Sequence, residues 1–345
     1  MQDPTTLFTL EPAGRDLLSG GFDGASALRG LGMLAVFGGH LDAGHLSEQV
    51  RHTLLDSLDH KLLASFDADQ LIDYRARRPH ISFDGDRFLD YQSPRLELHL
   101  VSDALGRPFL LLSGPEPDYQ WERFVAAVLF LVDRLDVRLV TLVDAVPMPV
   151  PHTRPLGVTT HGNREEAVAG LSTWSPQARM VSGVAQLLEL RLDEHRRGTA
   201  GYTLHVPHYL ADAAYPQAAV AALEYVGAAL GLMLPTDELR ERGREVDREL
   251  DRQTGSSREI TAMVEGLERN FDQHSPGAGR SLLVGPDEQV PDAEELGAAV
   301  EEYLQSQPRH ALDDEPRPGA AADGGPEDTA GPGEAAGPAT QPDAD

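Results

Sequence analysis

The chain has 345 residues, an apolar fraction of 41% and a formal charge of −27 at neutral pH; it can bury one large domain or two small ones and is too acidic for a general affinity for nucleic acid or anionic lipid. It has no cysteine and a single lysine, Lys61, which excludes disulfides, thiolate catalysis and cysteine-ligated metal centres, and leaves Schiff-base chemistry or a lysine-bearing phosphate loop almost nothing to work with. No basic-then-apolar leader and no apolar stretch of bilayer length is present, so no membrane association is expected and the expected location is cytoplasmic.

Residues 1–30 are rich in Gly, Asp and Leu without a clear period and read as a partly ordered arm. Gly30-Leu31-Gly32-Met33-Leu34-Ala35 has a superficial likeness to a dinucleotide fingerprint, but its glycines precede the apolar run Met33 to Phe37, where the fingerprint needs them to follow a strand. That run reads as a strand; Leu46, Val50, Leu54 and Leu58 then mark a helical stripe, and Lys61 to Phe66 a second strand. The polar segment Asp67 to Pro79 carries Arg75, Arg77 and Arg78, a cluster that could grip phosphate but in so acidic a chain reads first as a solvated or ion-paired loop. Asp84-Gly85 between Ile81-Ser82-Phe83 and Arg87-Phe88-Leu89 is a tight-hairpin signature. Leu96, Leu98 and Leu100 alternate with polar residues, as in a strand with one wet face.

The organising stretch is 107–155. Phe109 to Leu112 is apolar and of strand length, Gly114-Pro115-Glu116-Pro117 stops it, and Asp118 is placed to cap the next helix. In that helix Trp121, Phe124, Val125, Val128, Val132 and Leu135 recur on one face, and Val137 to Val143 reads as a strand buried on both faces. The result is a right-handed strand-helix-strand crossover, with its two parallel strands expected side by side in a mixed, covered sheet. Four prolines between Pro147 and Pro155 make Asp144 to Pro155 an ordered loop, or one held by a neighbour.

Ser182 to Leu192 reads as helical and Tyr202 to Val206 as extended, and a helix starts at Pro216 and ends at Gly231. From Thr236 charges dominate: Leu239, Val246 and Leu250, a break at Gly255, a cap at Ser257, then Ile260, Val264, Leu267 and Phe271 describe a helical hairpin that needs something to pack on. Asp292 and Glu295 open another amphipathic helix that Pro308 ends. The organisation expected is therefore an arm (1–30), an α/β core (31–235), a helical segment (236–307) on the core or a neighbour, and a disordered acidic Ala/Gly/Pro tail (308–345).

Ligands of open α/β sheets bind beyond the carboxyl ends of the parallel strands. Ser113, Glu116, Asp118, Asp144, His152 and Arg154 then share one rim. A functional reading makes Arg154 an anion clamp and His152 an acid or base; a plainer one makes Asp118 a helix cap, Arg154 its ion-pair partner and His152 the filling of a turn. The plainer one is favoured because acidic groups at that helix start oppose bound phosphate. His205 and His208 have spacing that means little for a metal across Pro207, with no third ligand evident, and Ser113 is not embedded in a nucleophile-elbow motif. No catalytic residue, metal or cofactor is assigned.

The segments Leu112-Ser113-Gly114-Pro115-Glu116-Pro117-Asp118 with Trp121 and Phe124, Pro149-Val150-Pro151-His152-Thr153-Arg154-Pro155, and His205-Val206-Pro207-His208-Tyr209-Leu210 with Tyr215-Pro216 resemble the proteasome assembly chaperone 2 (PAC2) family, most of all its actinobacterial branch, from about Met33 to Leu304. The resemblance implies a three-layer α/β/α fold of the phosphorylase/hydrolase type with a mixed sheet and added C-terminal helices. It also implies self-association, a trimer being one form, and protein partners that include proteasome subunits. Relatives that dock on the proteasome outer ring use a C-terminal hydrophobic-tyrosine-any residue motif. This sequence ends Asp343-Ala344-Asp345, with Tyr303 too far inside to substitute, so docking is expected to use a folded surface. Two functions follow as expectations: a non-enzymatic protein-binding chaperone or adaptor, or a small-molecule-binding protein or phosphorylase/hydrolase-like enzyme using the rim of residues 113–118 and 144–154.

Overall fold

Along Met33 to Phe37, Met33, Ala35 and Phe37 face one apolar layer while Leu34 and Val36 face another, the pattern of a strand covered on both sides. The computed structural model describes residues 2–19, 30–172 and 179–274. Its strands are β1 (Phe8–Leu10), β2 (Gly32–Gly38), β3 (His60–Phe66), β4 (Ser82–Asp84), β5 (Arg87–Leu89), β6 (Glu97–Ser102), β7 (Pro108–Pro115), β8 (Leu139–Met148), β9 (Gly157–Gly162) and β10 (Thr199–Pro207). Its helices are α1 (Pro12–Ser19), α2 (Leu46–Ser57), α3 (Ala68–Leu71), α4 (Trp121–Arg134), α5 (Glu165–Val168), α6 (Val184–Glu194), α7 (Pro216–Leu230), α8 (Asp237–Ser256) and α9 (Arg258–His274).

Eight strands form one mixed sheet in the order β1-β3-β6-β7-β2-β8-β10-β9. Its centre, β7-β2-β8-β10, is parallel, and β1, β3, β6 and β9 are antiparallel to their neighbours. Helices α4 and α6 cover the face bearing Met33, Leu110, Leu112 and Leu142; α2 and α7 cover the face bearing Leu34, Leu111, Val143 and Tyr202. This is the three-layer α/β/α fold. Leu239 of α8 is fully buried in the α7 layer, with Val246 and Leu250 packed beside it, so the charged hairpin α8–α9 begins on the core.

Several expectations change. The strands at 109–112 and 137–143 do run the same way in one sheet, but they are not adjacent: β2 lies between them, paired to Leu110 through Met33 on one side and to Val140 through the same residue on the other. Hydrophobic period reveals which runs are buried strands, not their lateral order, and the crossover through α4 passes over β2. Asp118 does not cap α4. The residue before that helix is Gln120 in the left-handed region (φ 57°) with no side-chain cap, and the Trp121 indole N–H instead donates back to the Pro117 carbonyl at 2.5 Å. The proline-rich segment is partly strand: β8 runs to Met148 with Pro147 opposite Val206. Proline is tolerated because, among the described residues, pairing on the β2 side of β8 ends with the Ala145–Asp42 bridge, two residues before Pro147, so no ladder bond is asked of its nitrogen. Strand β6 lacks a wet face, since His99 and Val101 are buried as well as Leu96 and Leu98.

Residues 2–19 of the expected arm add β1 to the sheet edge through pairs such as Phe8 with Phe66. They are fastened by buried Arg123 of α4, whose guanidinium donates to Asp3 O, Gln2 Oε1, Gln70 Oε1, Gln120 Oε1 and Thr6 Oγ1. The helix and tail expected over 292–345 lie outside the described residues.

Candidate functional site

The structure divides the six rim residues among separate roles. Ser113 is fully buried, its hydroxyl without a hydrogen-bond partner. Glu116, just past β7, accepts the Val184 N–H at 2.6 Å and the His40 N–H at 3.3 Å through its two carboxylate oxygens. It therefore ties the start of α6 to the loop after β2, satisfying an amide that a helix start leaves unpaired. A side chain at Gly39 or Gly183 would collide with that carboxylate. Replacing Glu116 by Gln puts an amide NH2 against one of those two N–H groups; a loss of about 1–2 kcal/mol in chemical denaturation is expected.

Asp118 accepts from the Asp73 N–H at 2.6 Å and pairs with Arg77 at 2.6 Å, and Arg77 also donates to the Glu116 carbonyl. The arginine-bearing loop is thus ion-paired onto the end of β7. Arg154 does not meet Asp118: its guanidinium grips Asp272 at 2.8 Å through Nε and Nη2 and Glu268 at 3.1 Å through Nη1, clamping α9 over the segment after β8. His152 Nδ1 stands 2.7 Å from the Tyr209 hydroxyl, whose oxygen also accepts the His152 backbone N–H at 2.8 Å; burial lowers the pKa of His152. Only Glu116 and Asp144 meet, across a void of about 10 Å³, room for one water molecule. Of the motif residues, Gly114 and Pro115 end β7, while His208, exposed, stands edge-on to Tyr209 at 5.3 Å.

Beside that void lies a cavity of about 600 Å³ between α6 and the strands β8, β9 and β10. Residues Gln186, Glu189, Leu190 and Asp193 line it, at i, i+3, i+4 and i+7 along α6, so they form one stripe. From the sheet come Thr159, His161, Thr203 and His205. Nδ1 of His161 is 2.7 Å from Glu189 Oε2; because a carboxylate only accepts, that nitrogen carries the proton. Nε2 stands 3.2 Å from Thr203 Oγ1; behind it Asp144 accepts from Gln186 Nε2 at 2.6 Å through Oδ2, while its buried Oδ1 has no hydrogen-bond partner. The imidazole lies on Gly201, where any Cβ would overlap the ring.

Burial works against the charged form of His161, yet Glu189 and Asp144 prevail and its pKa is raised. Burial pushes Asp144 up to about 6 and His205 down to about 4. His205 Nε2 is 2.9 Å from Thr159 Oγ1, a role inside the cavity wall rather than with His208. Among the described residues no three His, Asp or Glu are grouped to hold a metal ion, and no helix is long and apolar enough to cross a membrane.

The sequence reading missed His161, Glu189 and Thr203. Strand β9 has too few apolar residues to register as a strand. The available signal was in α6, where Val184, Leu188 and Leu192 mark the buried face while a polar stripe flanks it.

A different surface stands on the hairpin β4–β5, which forms its own two-stranded sheet apart from the main one. Phe83 and Phe88 are paired across it with ring centroids 5.1 Å apart, yet they are 63% and 67% exposed, beside exposed Ile81, Leu89 and Tyr91.

Comparison with known proteins gives a consistent picture. The profile of the PAC2 family matches residues 36–254. A solved structure from Mycobacterium tuberculosis, a protein of unknown function, is 39% identical with a TM-score of 0.70, over 77% of this chain and 91% of its own. A Corynebacterium glutamicum protein of unknown function is 35% identical with a TM-score of 0.73, over 79% and 99%. A Mycobacterium tuberculosis proteasome-assembly chaperone homologue shares the fold at 24% identity and a TM-score of 0.62, over 68% and 100%. No curated protein matches.

Proposed function

Since the chain belongs to the PAC2 family, we propose that it acts in the cytoplasm as a non-enzymatic, self-associating chaperone or adaptor that binds proteasome subunits. The observation that carries the reading is the β4–β5 hairpin. A two-stranded hairpin by itself is marginal in water, and this one holds two phenylalanines, an isoleucine, a leucine and a tyrosine out in solvent. Clustered exposed apolar side chains mark interaction surfaces, and aromatic anchors dominate binding energy at such surfaces. The partner class is supported by the family and by the proteasome-assembly chaperone homologue that shares the fold.

The alternative, a small-molecule-binding protein or phosphorylase/hydrolase-like enzyme using the rim of residues 113–118 and 144–154, is less favoured because Tyr209 and α9 already engage His152 and Arg154. The test is affinity purification of the full chain from its native host with quantitative mass spectrometry, run beside the double substitution Phe83→Ser and Phe88→Ser. Proteasome subunits should be enriched over a mock purification and lost in the variant, whose stability should stay within about 0.5 kcal/mol of the parent as for other exposed positions. Failure of the parent chain to enrich them removes the reading.

A further inference from the structure

We propose that the cavity between α6 and strands β8–β10 binds a small organic cation, an amine on an apolar body. This goes beyond the protein-binding role and depends on none of its residues.

The first ground is the wall. An amphipathic helix on a sheet turns apolar residues inward, and α6 does so with Val184, Leu188 and Leu192. Its second stripe, Gln186, Glu189, Leu190 and Asp193, turns toward an open volume of about 600 Å³, within the size range of small-molecule sites. The second ground is charge. Glu189 and Asp193 line the cavity and Asp144 lies behind Gln186 and Thr203, while the basic side chains facing it are the imidazoles of His161 and His205; among the described residues no arginine or lysine lines it. Neither lining carboxylate has an arginine or lysine partner among the described residues: Glu189 bonds His161 Nδ1, and Asp193 receives the neutral Asn163 amide at 2.8 Å. An ammonium group would relieve this excess negative charge, while a carboxylate or phosphate would add to it. The third ground is shape: Leu41, Val146 and Leu190 give the same volume an apolar side, which a purely hydrophilic cation would leave unused. The Glu189–His161–Thr203 chain, seated on Gly201, fixes the orientation of the polar side before any ligand arrives.

The test uses the full chain and three probes of one shape: 2-phenylethylamine, 2-phenylethanol and phenylacetate, titrated by calorimetry and by ligand-observed NMR. Saturable binding of the amine is expected, about tenfold tighter than the alcohol, with none for the acid. Glu189→Gln combined with Asp193→Asn should weaken amine binding about tenfold and erase its advantage over the alcohol. Because Glu189 also holds His161, a second variant is needed: Leu190→Arg, at a half-exposed position, should abolish amine binding while leaving the melting temperature near that of the parent. The proposal is overturned if the amine shows no saturable binding at millimolar concentration. It is equally overturned if the acid binds as well as the amine, or if both folded variants bind the amine as the parent does.

Discussion

Alanine at position 114 is expected to lower stability by about 3 kcal/mol or more, seen as a fall of about 6–12 °C in melting temperature. Gly114 has φ +148°, a region that side chains rarely adopt, and a Cβ there would collide with the Arg95 carbonyl and come 2.7 Å from Leu96 Cα. Both obstacles are backbone, so no rotamer change relieves them. The strand β6 must move away from β7, starting at the Glu97–Ser113 pair, or β7 must bend. Either shift displaces Glu116, two residues on, from the amides of His40 and Val184 that it joins. Gly85 supplies the control: its φ of +61° is also positive, yet nothing lies within 4 Å of a Cβ there. Gly85→Ala should therefore cost only the conformational strain, about 1 kcal/mol. Equal losses at the two positions, measured by chemical denaturation, would show that the close approach of β6 to β7 carries no weight.

That close approach was invisible in the sequence, where Gly114-Pro115 reads only as the end of a strand. Burial was the legible part. The runs Met33–Phe37, Phe109–Leu112 and Val137–Val143 are apolar because both faces are covered, and the helices on either side follow from a 3.6-residue period. Lateral order was not legible, because a parallel strand pairs through backbone groups that every residue possesses; β2 could enter between β7 and β8 without leaving a mark in composition. The pairings of the candidate rim were hidden for a related reason. Strand ends predict that 113–118 and 144–154 lie at one edge of the sheet, but which charges meet depends on α9, which captures Arg154 through Glu268 and Asp272, and on the 67–79 loop, whose Arg77 reaches Asp118 first. The cavity was hidden behind polar positions. His161, Thr203 and Glu189 lie on three elements separated by up to 42 residues, and a search for short motifs has no purchase on such a grouping.

Asp144 allows a sharper expectation, in which the wild-type residue is the less stable choice. It is 7% exposed, and burial raises its carboxyl from the ordinary 3.8 to about 6 despite the hydrogen bond from Gln186. A folded-state pKa above the unfolded one means that the folded chain holds the proton more tightly. Stability is therefore highest below about pH 4, declines as pH rises from about 4 to 6, and is flat for this group above that window. The ionised form at neutral pH then costs about 2–3 kcal/mol. Asp144→Asn removes that charge and keeps an oxygen to accept from Gln186, while its amide N–H can donate to Thr203. The variant should be more stable than the parent by about 1–3 kcal/mol at pH 7 and indistinguishable from it near pH 4. Its denaturation midpoint should lose the decline between those values. His161 provides an internal reference, since its raised pKa places its stabilising charge below the unfolded value of about 6.5, with loss as pH climbs through the higher folded value. Glu189→Gln should remove most of that later decline and leave the earlier one, whereas Asp144→Asn should do the reverse, with a smaller change in the later one because Asp144 contributes least to holding the His161 proton. Denaturation midpoints measured from pH 4 to 8 separate the two; an Asp144→Asn protein that is weaker than the parent at pH 7 and still declines between pH 4 and 6 would mean that this carboxylate is stabilised by its neighbours more than burial penalises it.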